Sequence, residues 1–364
     1  MADGAVRLYS ERSLVKYDGQ ARGFRFADVL ELTHPAPRDE RQSELFRHAL
    51  DRRHDRAETI PDQLGVLRAR QHLLSVPVEQ RRAVLTQGER VLAPAGMTWE
   101  QVAGWLQGPL DAAAWEALIP SMGYMALLRN LRNFDEAGVS DEVATQVAAK
   151  LADVDEVARS RQLPLRFLSA YRTAPSLRWA WALERALQAS LAGVPSLTGR
   201  TLVLVDRSGS MFTRLSRRSV LTRADGAAVF GTALAVRAAS ADLVEFGTQS
   251  APVRYGRGDS VLKVVERMGN LGGTNTADAV RRHYRGHDRD GIVTDEQAWA
   301  GWRGADPTKV VPASVPVYTF NLAGYQYGHG ASGVGNRHTF GGLTDQGFAA
   351  IPLLEAGRDQ RWPF

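Results

Sequence analysis

Hydrophobic positions recur at helical spacing through the first half of this chain and as short unbroken runs through the second. Between residues 24 and 190 apolar side chains return every three or four positions, punctuated by Pro35, Pro61 and Pro77. The residue before a proline is pushed out of the helical region. Helices are therefore expected over residues 24–32, 38–54, 62–74 and 78–92. Thr98 and Asp111 stand where N-caps belong, ahead of helices that carry Trp99 and Trp115. Within residues 121–134, Tyr124, Leu127, Leu128 and Leu131 fall at i, i+3, i+4 and i+7 and make one apolar face. Arg129, Asn130, Arg132 and Asn133 surround the opposite side and read as a solvated polar face. Helices over 141–151, 153–159, 164–171 and a longer one from Pro175 bring the number to about ten, with no strand pattern among them. No clear repeat is visible, and the arrangement predicts an irregular α-solenoid of helix pairs.

The segment Gly193-Val194-Pro195-Ser196-Leu197-Thr198-Gly199 has the composition of a boundary. Residues 1–193 are expected to form the helical region and 200–364 a second domain. Thr201-Leu202-Val203-Leu204-Val205 lacks polar interruption after its first residue, which predicts a strand buried on both faces, central in a parallel sheet. Further strands are expected over 241–249 and 253–255 (a hairpin), 290–294 and 315–322. They alternate with helices over 219–239, 260–268, 276–284 and 345–356. That is a doubly wound, Rossmann-type α/β domain. The glycine-rich stretch 328–335, with Asn336 and His338 after it, reads as loop.

Composition narrows the setting. The chain of 364 residues has material for more than one core, and its charged fraction of 23% is ordinary for a globular protein. It has no cysteine, which rules out disulfides and thiolate metal sites and fits a reducing compartment. No apolar run approaches the roughly 18 residues of a membrane span, and no apolar segment follows Met1-Ala2-Asp3-Gly4. A cytoplasmic location is the expectation. The net charge is +5, with much of the arginine surplus ahead of the central strand. Arginine-rich faces suit phosphate recognition, although neighbouring carboxylates neutralise many such groups on solvated helices.

The candidate chemistry begins where the central strand ends. Asp206-Arg207-Ser208-Gly209-Ser210 sets a carboxylate and two hydroxyls at alternate positions of the following loop. Oxygen donors at the carboxyl end of a strand are what a hard divalent cation needs, at the edge where open α/β sheets bind ligands. Enzyme motifs are missing. There is no Gly-x-Ser-x-Gly elbow and no phosphate loop ending in Gly-Lys-Ser/Thr, and Ser208 replaces the second Asp of a phosphohydrolase pair. His283, His287 and Asp288 read as solvated polar surface. A non-enzymatic protein is expected.

The Asp-x-Ser-x-Ser loop resembles the metal-ion-dependent adhesion site of von Willebrand factor A-like domains. That resemblance draws in Thr274, from Leu271-Gly272-Gly273-Thr274-Asn275-Thr276, and Asp295, from Ile292-Val293-Thr294-Asp295-Glu296. It implies that Asp206, Ser208, Ser210, Thr274 and Asp295 hold a divalent cation, Mg²⁺ first, with Mn²⁺ or Ca²⁺ as alternatives. A partner's carboxylate can complete such a site, with Arg207 and Met211 as part of the face, so a metal-dependent protein-binding module is the alternative reading.

The whole chain resembles the Ro autoantigen family, in which a ring of HEAT-like helices, the TROVE module, is closed by a von Willebrand A-like domain. The resemblance is carried by Met122-Gly123-Tyr124-Met125-Ala126-Leu127-Leu128-Arg129-Asn130-Leu131-Arg132-Asn133, by Leu30-Glu31-Leu32-Thr33-His34-Pro35 and by Phe340-Gly341-Gly342-Leu343-Thr344-Asp345. It implies binding of small structured non-coding RNA of the Y type and of the 3′ ends of misfolded RNA, and in some bacteria an exoribonuclease tethered through RNA. Neither DNA nor a membrane is an expected partner. By position it assigns RNA contacts to Lys16, His34 and Arg22. Lysine and arginine neutralise phosphates, and histidine can stack on an unpaired base. The family carries further helices ahead of the segment matching Leu14, so the expectation here is a partial ring that stays open, that a partner completes, or whose remaining helices belong to a longer reading frame.

Overall fold

The computed structural model describes residues 6–18, 23–56, 59–174, 176–217, 219–256, 258–295, 306–323, 330, 332–342 and 345–358. They fall into two compact units, residues 1–127 with 133–143 and residues 128–132 with 144–364.

The first unit is helical. Its elements are α1 (Glu11–Tyr17), α2 (Phe26–Thr33), α3 (Glu40–Arg53), α4 (Gly65–Leu74), α5 (Val78–Leu85), α6 (Glu89–Leu92), α7 (Trp99–Leu106) and α8 (Ala112–Leu118). The predicted caps are made. Thr98 and Gln101 form a reciprocal capping box, and the Asp111 side chain accepts from the Ala114 amide. Where one helix is expected over 78–92, the chain breaks between α5 and α6. Gly88 adopts a φ of +56°, a left-handed conformation open to glycine at little cost. One core gathers Leu14, Phe26, Leu30, Leu45, Phe46, Leu64 and Leu67, with Tyr9 stacked on Phe26. The buried Glu11 carboxylate is offset on both sides, accepting from the Leu67 amide at 3.0 Å and pairing with Arg41 at 2.6 Å.

Helix α9 (Tyr124–Ala137) carries the expected apolar face, with Leu127, Leu128 and Leu131 buried. Arg129 and Arg132 are exposed, but Asn130 is not solvated as expected and is 1% exposed. It lies three residues after Leu127 and four before Phe134, so helical geometry turns it onto the edge of the buried stripe. Helix α10 (Asp141–Ala152) follows.

The second unit contains α11 (Val154–Ser160), α12 (Pro164–Thr173), α13 (Ala180–Ser190) and then the sheet. Pro175, the expected start of the long helix, lies outside the described residues, and the helix proper begins at Ala180. The strands are β1 (Leu197–Asp206), β2 (Ala238–Phe246), β3 (Ser250–Pro252), β4 (Arg289–Thr294), β5 (Val317–Asn321) and β6 (Arg337–Gly341), in the spatial order β3-β2-β1-β4-β5-β6. All neighbouring pairs run parallel except β2 with β3. Helices α14 (Arg223–Arg237), α15 (Val261–Glu266), α16 (Thr276–His283) and α17 (Asp345–Arg358) complete the unit.

Strand β1 is central, as its sequence predicts, and Leu202, Val203, Leu204 and Val205 are fully buried. Helix α14 lies against it through small residues, among them Ala224, Ala227 and Ala228. Gly231 is the closest approach, since a Cβ there would run into the Val205 side chain. Strand β6 corrects the expectation of loop around His338: the ring sits in a strand, stacked on Tyr318 at 5.4 Å. The partly exposed edge position and the flanking glycines hide it from a periodicity argument. Residues 343 and 344 of the ending motif lie outside the described set. Among the described residues no helix is long and apolar enough to cross a membrane.

Among the described residues one buried carboxyl is left without a hydrogen-bond partner. Asp290 stands in register with Leu202 and Val317, two members of the apolar cluster on that face of the sheet. Neither of its carboxylate oxygens has a hydrogen-bond partner. Burial pushes this carboxyl up to about 8, offset in part by Arg337, whose own guanidinium donates to the carbonyls of Thr308, Val311 and Val315. A carboxyl raised in the folded state above its unfolded value near 3.9 loses stability as pH climbs from about 4 to about 8. Asp290→Asn is therefore expected to stabilise the protein more at pH 8 than at pH 5, by about 2–4 kcal/mol. Urea unfolding at both pH values checks this, and an equal gain at the two would refute it.

Candidate functional site

Three loops meet at the carboxyl edge of the sheet, and backbone hydrogen bonds join them. The Arg207 amide donates to the Phe246 carbonyl at 2.7 Å, and the Leu271 amide to the Arg207 carbonyl at 2.9 Å. Gly209 donates to Gly272 at 2.6 Å, Thr248 to Leu271 at 2.8 Å and Asn275 to Gly247 at 2.9 Å. The Thr248 hydroxyl accepts from the Gly273 amide at 2.7 Å. The loop carrying Thr274 is thus tied to the ends of both β1 and β2. Gly247 makes the approach possible, because a Cβ would meet the Leu271 backbone.

Arg207 holds this arrangement from beneath. Its guanidinium donates to the carbonyls of Ala224 at 2.8 Å, Met268 at 2.9 Å and Gly269 at 2.9 Å, linking the start of α14 to the segment ahead of the glycine loop. Arg207 and Met211 are buried, so neither forms the docking face anticipated from their place in the loop. The long aliphatic stem and five donors let arginine satisfy several carbonyls that the turn leaves unpaired, which a sequence position alone does not reveal.

Asp206 is fully buried at the end of β1. One carboxylate oxygen accepts from the Ser208 amide at 2.8 Å, the other from the Thr294 hydroxyl at 2.6 Å. Burial pushes its carboxyl up to about 6, against the hydrogen bonds from Thr294 and Ser208, with the Asp295 charge adding to the rise. Asp295 follows β4 and is equally buried, 3.4 Å from the Arg223 guanidinium. The hydroxyls of Ser208 and Ser210 are 3.3 Å apart. Asp206, Ser208, Ser210 and Asp295 therefore share one pocket of oxygen donors. Thr274 is carried to it on its loop, half-buried, with no hydrogen bond from its hydroxyl to the other four. Among the described residues no group of three or more His, Asp or Glu clusters as a metal site. What this edge offers is two buried carboxylates with hydroxyls, a donor set that suits a hard cation finishing its shell with water.

The residues matched to RNA contacts lie in the first unit. Lys16 is exposed in the last turn of α1, its ammonium 5.1 Å from the Tyr17 ring centroid. His34 is exposed and closes α2: at φ +43° it is left-handed, and its amide donates to Leu30 at 2.9 Å. Its backbone caps the helix while its ring faces solvent, so the capping role and an available ring coexist. Arg22 lies outside the described residues. Helices α1 and α2 share a core through Leu14, Phe26 and Leu30. The sequence reading missed the exposed aromatics beside them, Tyr17 at 48% and Phe24 at 78%. Phe24 looked like the first apolar position of a helix that in fact starts at Phe26, where the Asp28 carboxylate accepts from the Arg25 amide at 2.7 Å.

His287 departs from the expectation of solvated surface. It is buried, and its Nε2 lies 2.7 Å from the Asp242 carboxylate. Asp288 accepts from the Arg200 amide at 2.6 Å.

Residues 45–193 match the TROVE domain family. The chain superposes on the crystal structure of the Ro protein of Deinococcus radiodurans with a TM-score of 0.66, at 20% identity, covering 96% of this chain and 75% of that one. The shared fold is a helical region followed by a mixed sheet domain. The chain is also 34% identical over 132 residues to telomerase protein component 1 of Mus musculus, and 34% identical over 113 residues to the same component of Rattus norvegicus. Those segments are 36% and 30% of this chain but 4% of either relative.

If Arg207 holds the loops together, Arg207→Ala strands the buried carbonyls of Ala224 and Met268 and frees that of Gly269, and is expected to cost about 2–4 kcal/mol. Chemical denaturation measures it; a loss under about 1 kcal/mol would mean the backbone bonds suffice on their own.

Proposed function

We propose that this protein is a non-catalytic RNA-binding protein of the Ro type. Its ligand is a small structured non-coding RNA like the Y RNAs, and it also accepts the 3′ ends of misfolded RNA in RNA quality control, with an exoribonuclease as a partner tethered through the RNA. The TROVE match over residues 45–193 carries this reading. The exposed Lys16 ammonium and the solvent-facing His34 ring are compatible with it, the first for phosphates and the second for unpaired bases. Exposed Tyr17 and Phe24 add π-faces of the kind on which single-stranded bases stack.

The test is a gel-shift titration with a small structured RNA bearing a single-stranded 3′ tail. Lys16→Ala/His34→Ala is expected to weaken binding at least about tenfold, and wild-type affinity to fall steeply between low and physiological salt. Both positions are exposed, so the double variant keeps its fold. Binding that is indifferent to salt and to both substitutions would sink the assignment of the contacts; no binding by folded wild type would sink the function.

We further propose that Asp206, Ser208, Ser210, Thr274 and Asp295 hold a divalent cation, Mg²⁺ before Mn²⁺ or Ca²⁺, that serves structure rather than RNA contact. Two buried carboxylates beside one another, with Arg223 the nearest cation, support it. A bound divalent ion would add positive charge beside carboxylates that burial makes costly to ionise. Millimolar MgCl₂ is expected to raise the melting temperature of wild type, since a ligand of the folded state stabilises by mass action. In Asp206→Asn that shift disappears while RNA affinity stays unchanged. Loss of RNA binding in the folded variant would contradict the division of roles.

A further inference from the structure

The cation edge is one end of the sheet, and the opposite end carries a cavity of different character. A pocket of about 440 Å³ opens beside β2, bounded by Leu243 and Val244 of that strand, by Pro252 and Val253, and by the end of α16. Three guanidinium groups line it: Arg254, Arg282 and Arg285.

Their charges are poorly matched. Arg282 shares the Asp278 carboxylate, 2.6 Å away, with Arg281 at 3.8 Å. No carboxylate pairs with Arg254 or Arg285 among the described residues; the Arg285 guanidinium makes only a hydrogen bond to the Tyr284 carbonyl, at 2.8 Å. The one acid in the lining, Asp242, is already engaged by Arg200 at 2.5 Å and His287 at 2.7 Å. His283 stands among these groups, its Nε2 3.0 Å from the Ser250 hydroxyl. Burial holds the His283 imidazole below its usual range, and the Arg285 and Arg282 charges push it the same way. Asp242 and Asp278 act in the other direction on the ring, so the arginine charges add to burial here and are only partly offset by carboxylates. The bland alternative is that Arg281, Arg282 and His283 merely complement the C-terminal dipole of α16. That accounts for neither Arg254, which comes from the other wall, nor Arg285, which lies beyond the helix.

We propose that this pocket binds a phosphate monoester, with Arg254 and Arg285 as the principal anchors and a nucleoside 5′-monophosphate as the ligand class that fills it. Guanidinium forks match the phosphate oxygens two at a time, which is why arginine dominates such sites. The apolar wall of Leu243, Pro252 and Val253 then faces the rest of the ligand. Neutral His283 has a nitrogen to offer a phosphate oxygen once the anion offsets the arginines. The proposal is independent of RNA binding by the helical unit, because all its residues lie in the other unit.

The test titrates the full chain with inorganic phosphate and, separately, with adenosine 5′-monophosphate, by calorimetry in EDTA so that no cation contributes. Saturable binding of the nucleotide, weakened at least about tenfold in Arg254→Ala/Arg285→Ala, is the expected result. An upward move of the His283 titration in the NMR spectrum should accompany it. Equal affinity for inorganic phosphate would assign the site to the free anion, and preference for the nucleotide to the larger ligand; both support an anion site here. Both arginines are exposed, so the double variant should retain the wild-type melting temperature. No saturable binding by folded wild type, or binding that the double variant leaves intact, would overturn the proposal.

Discussion

The sheet unit depends on a strand sealed from water on both faces, which ends in a carboxylate. Burying Leu202 through Val205 completely is favourable at about 1.5–3 kcal/mol per side chain, and it demands a helix able to lie flat on the strand. Helix α14 does so because its contact face is alanine and glycine, with Gly231 where Val205 rises. The same burial drags Asp206 out of water at the strand's last position. A desolvated carboxylate must be compensated, so the surrounding loops are built from donors: the Ser208 amide, the Thr294 hydroxyl and, around the second carboxylate, Arg223. Strand burial thus sets the chemistry of the edge.

How much of this is readable from residues alone follows from which forces are local. Caps at Thr98 and Asp111, the apolar stripe of α9 and the buried run of β1 depend on neighbours a few positions away, and each is present where its pattern predicts. The break at Gly88 is also local, but a glycine within a periodic helix does not announce that it will take a positive φ. Arg207, Asn130 and His287 failed for another reason. Each is polar beside polar neighbours, and each is buried by partners 17 to 62 residues away or by helical phase, which composition does not encode. Strand β6 escaped because its register comes from β5, not from its own alternation.

The candidate ligands divide along the same line. Asp206, Ser208 and Ser210 belong together by spacing, since alternate positions of one turn share a side. Thr274 and Asp295 could be added only by family pattern, and the structure shows what that pattern encodes physically. Gly247 and Gly272 let the Thr274 loop press against the β1 turn, and the parallel pairing of β4 with β1 delivers Asp295 beside Asp206. The RNA-matched positions lack such internal logic. Lys16 and His34 are exposed and engage little of their own fold, so nothing in the folding of α1 and α2 requires them.

Parallel strands also account for the contrast between the two ends of the sheet. Every β4-type strand returns its chain to the same edge, so acidic side chains that follow strands, such as Asp206 and Asp295, accumulate at the carboxyl end. Arginines in the first half of a strand or just after a helix, such as Arg200, Arg289 and Arg285, collect at the other. Helix α16 spans that separation, starting just past Thr274 and ending at His283. At 1.5 Å per residue its eight residues put roughly 12 Å between the carboxylate edge and the arginine-bearing one. Each end settles charge locally, Asp295 with Arg223 at one and Arg200 with Asp242 and Arg289 with Glu355 at the other, and the core between them holds Asp290 without a hydrogen-bond partner. The two edges thus differ in kind, buried carboxylates held by hydroxyl and amide donors at one and arginines paired with Asp242 and Glu355 at the other.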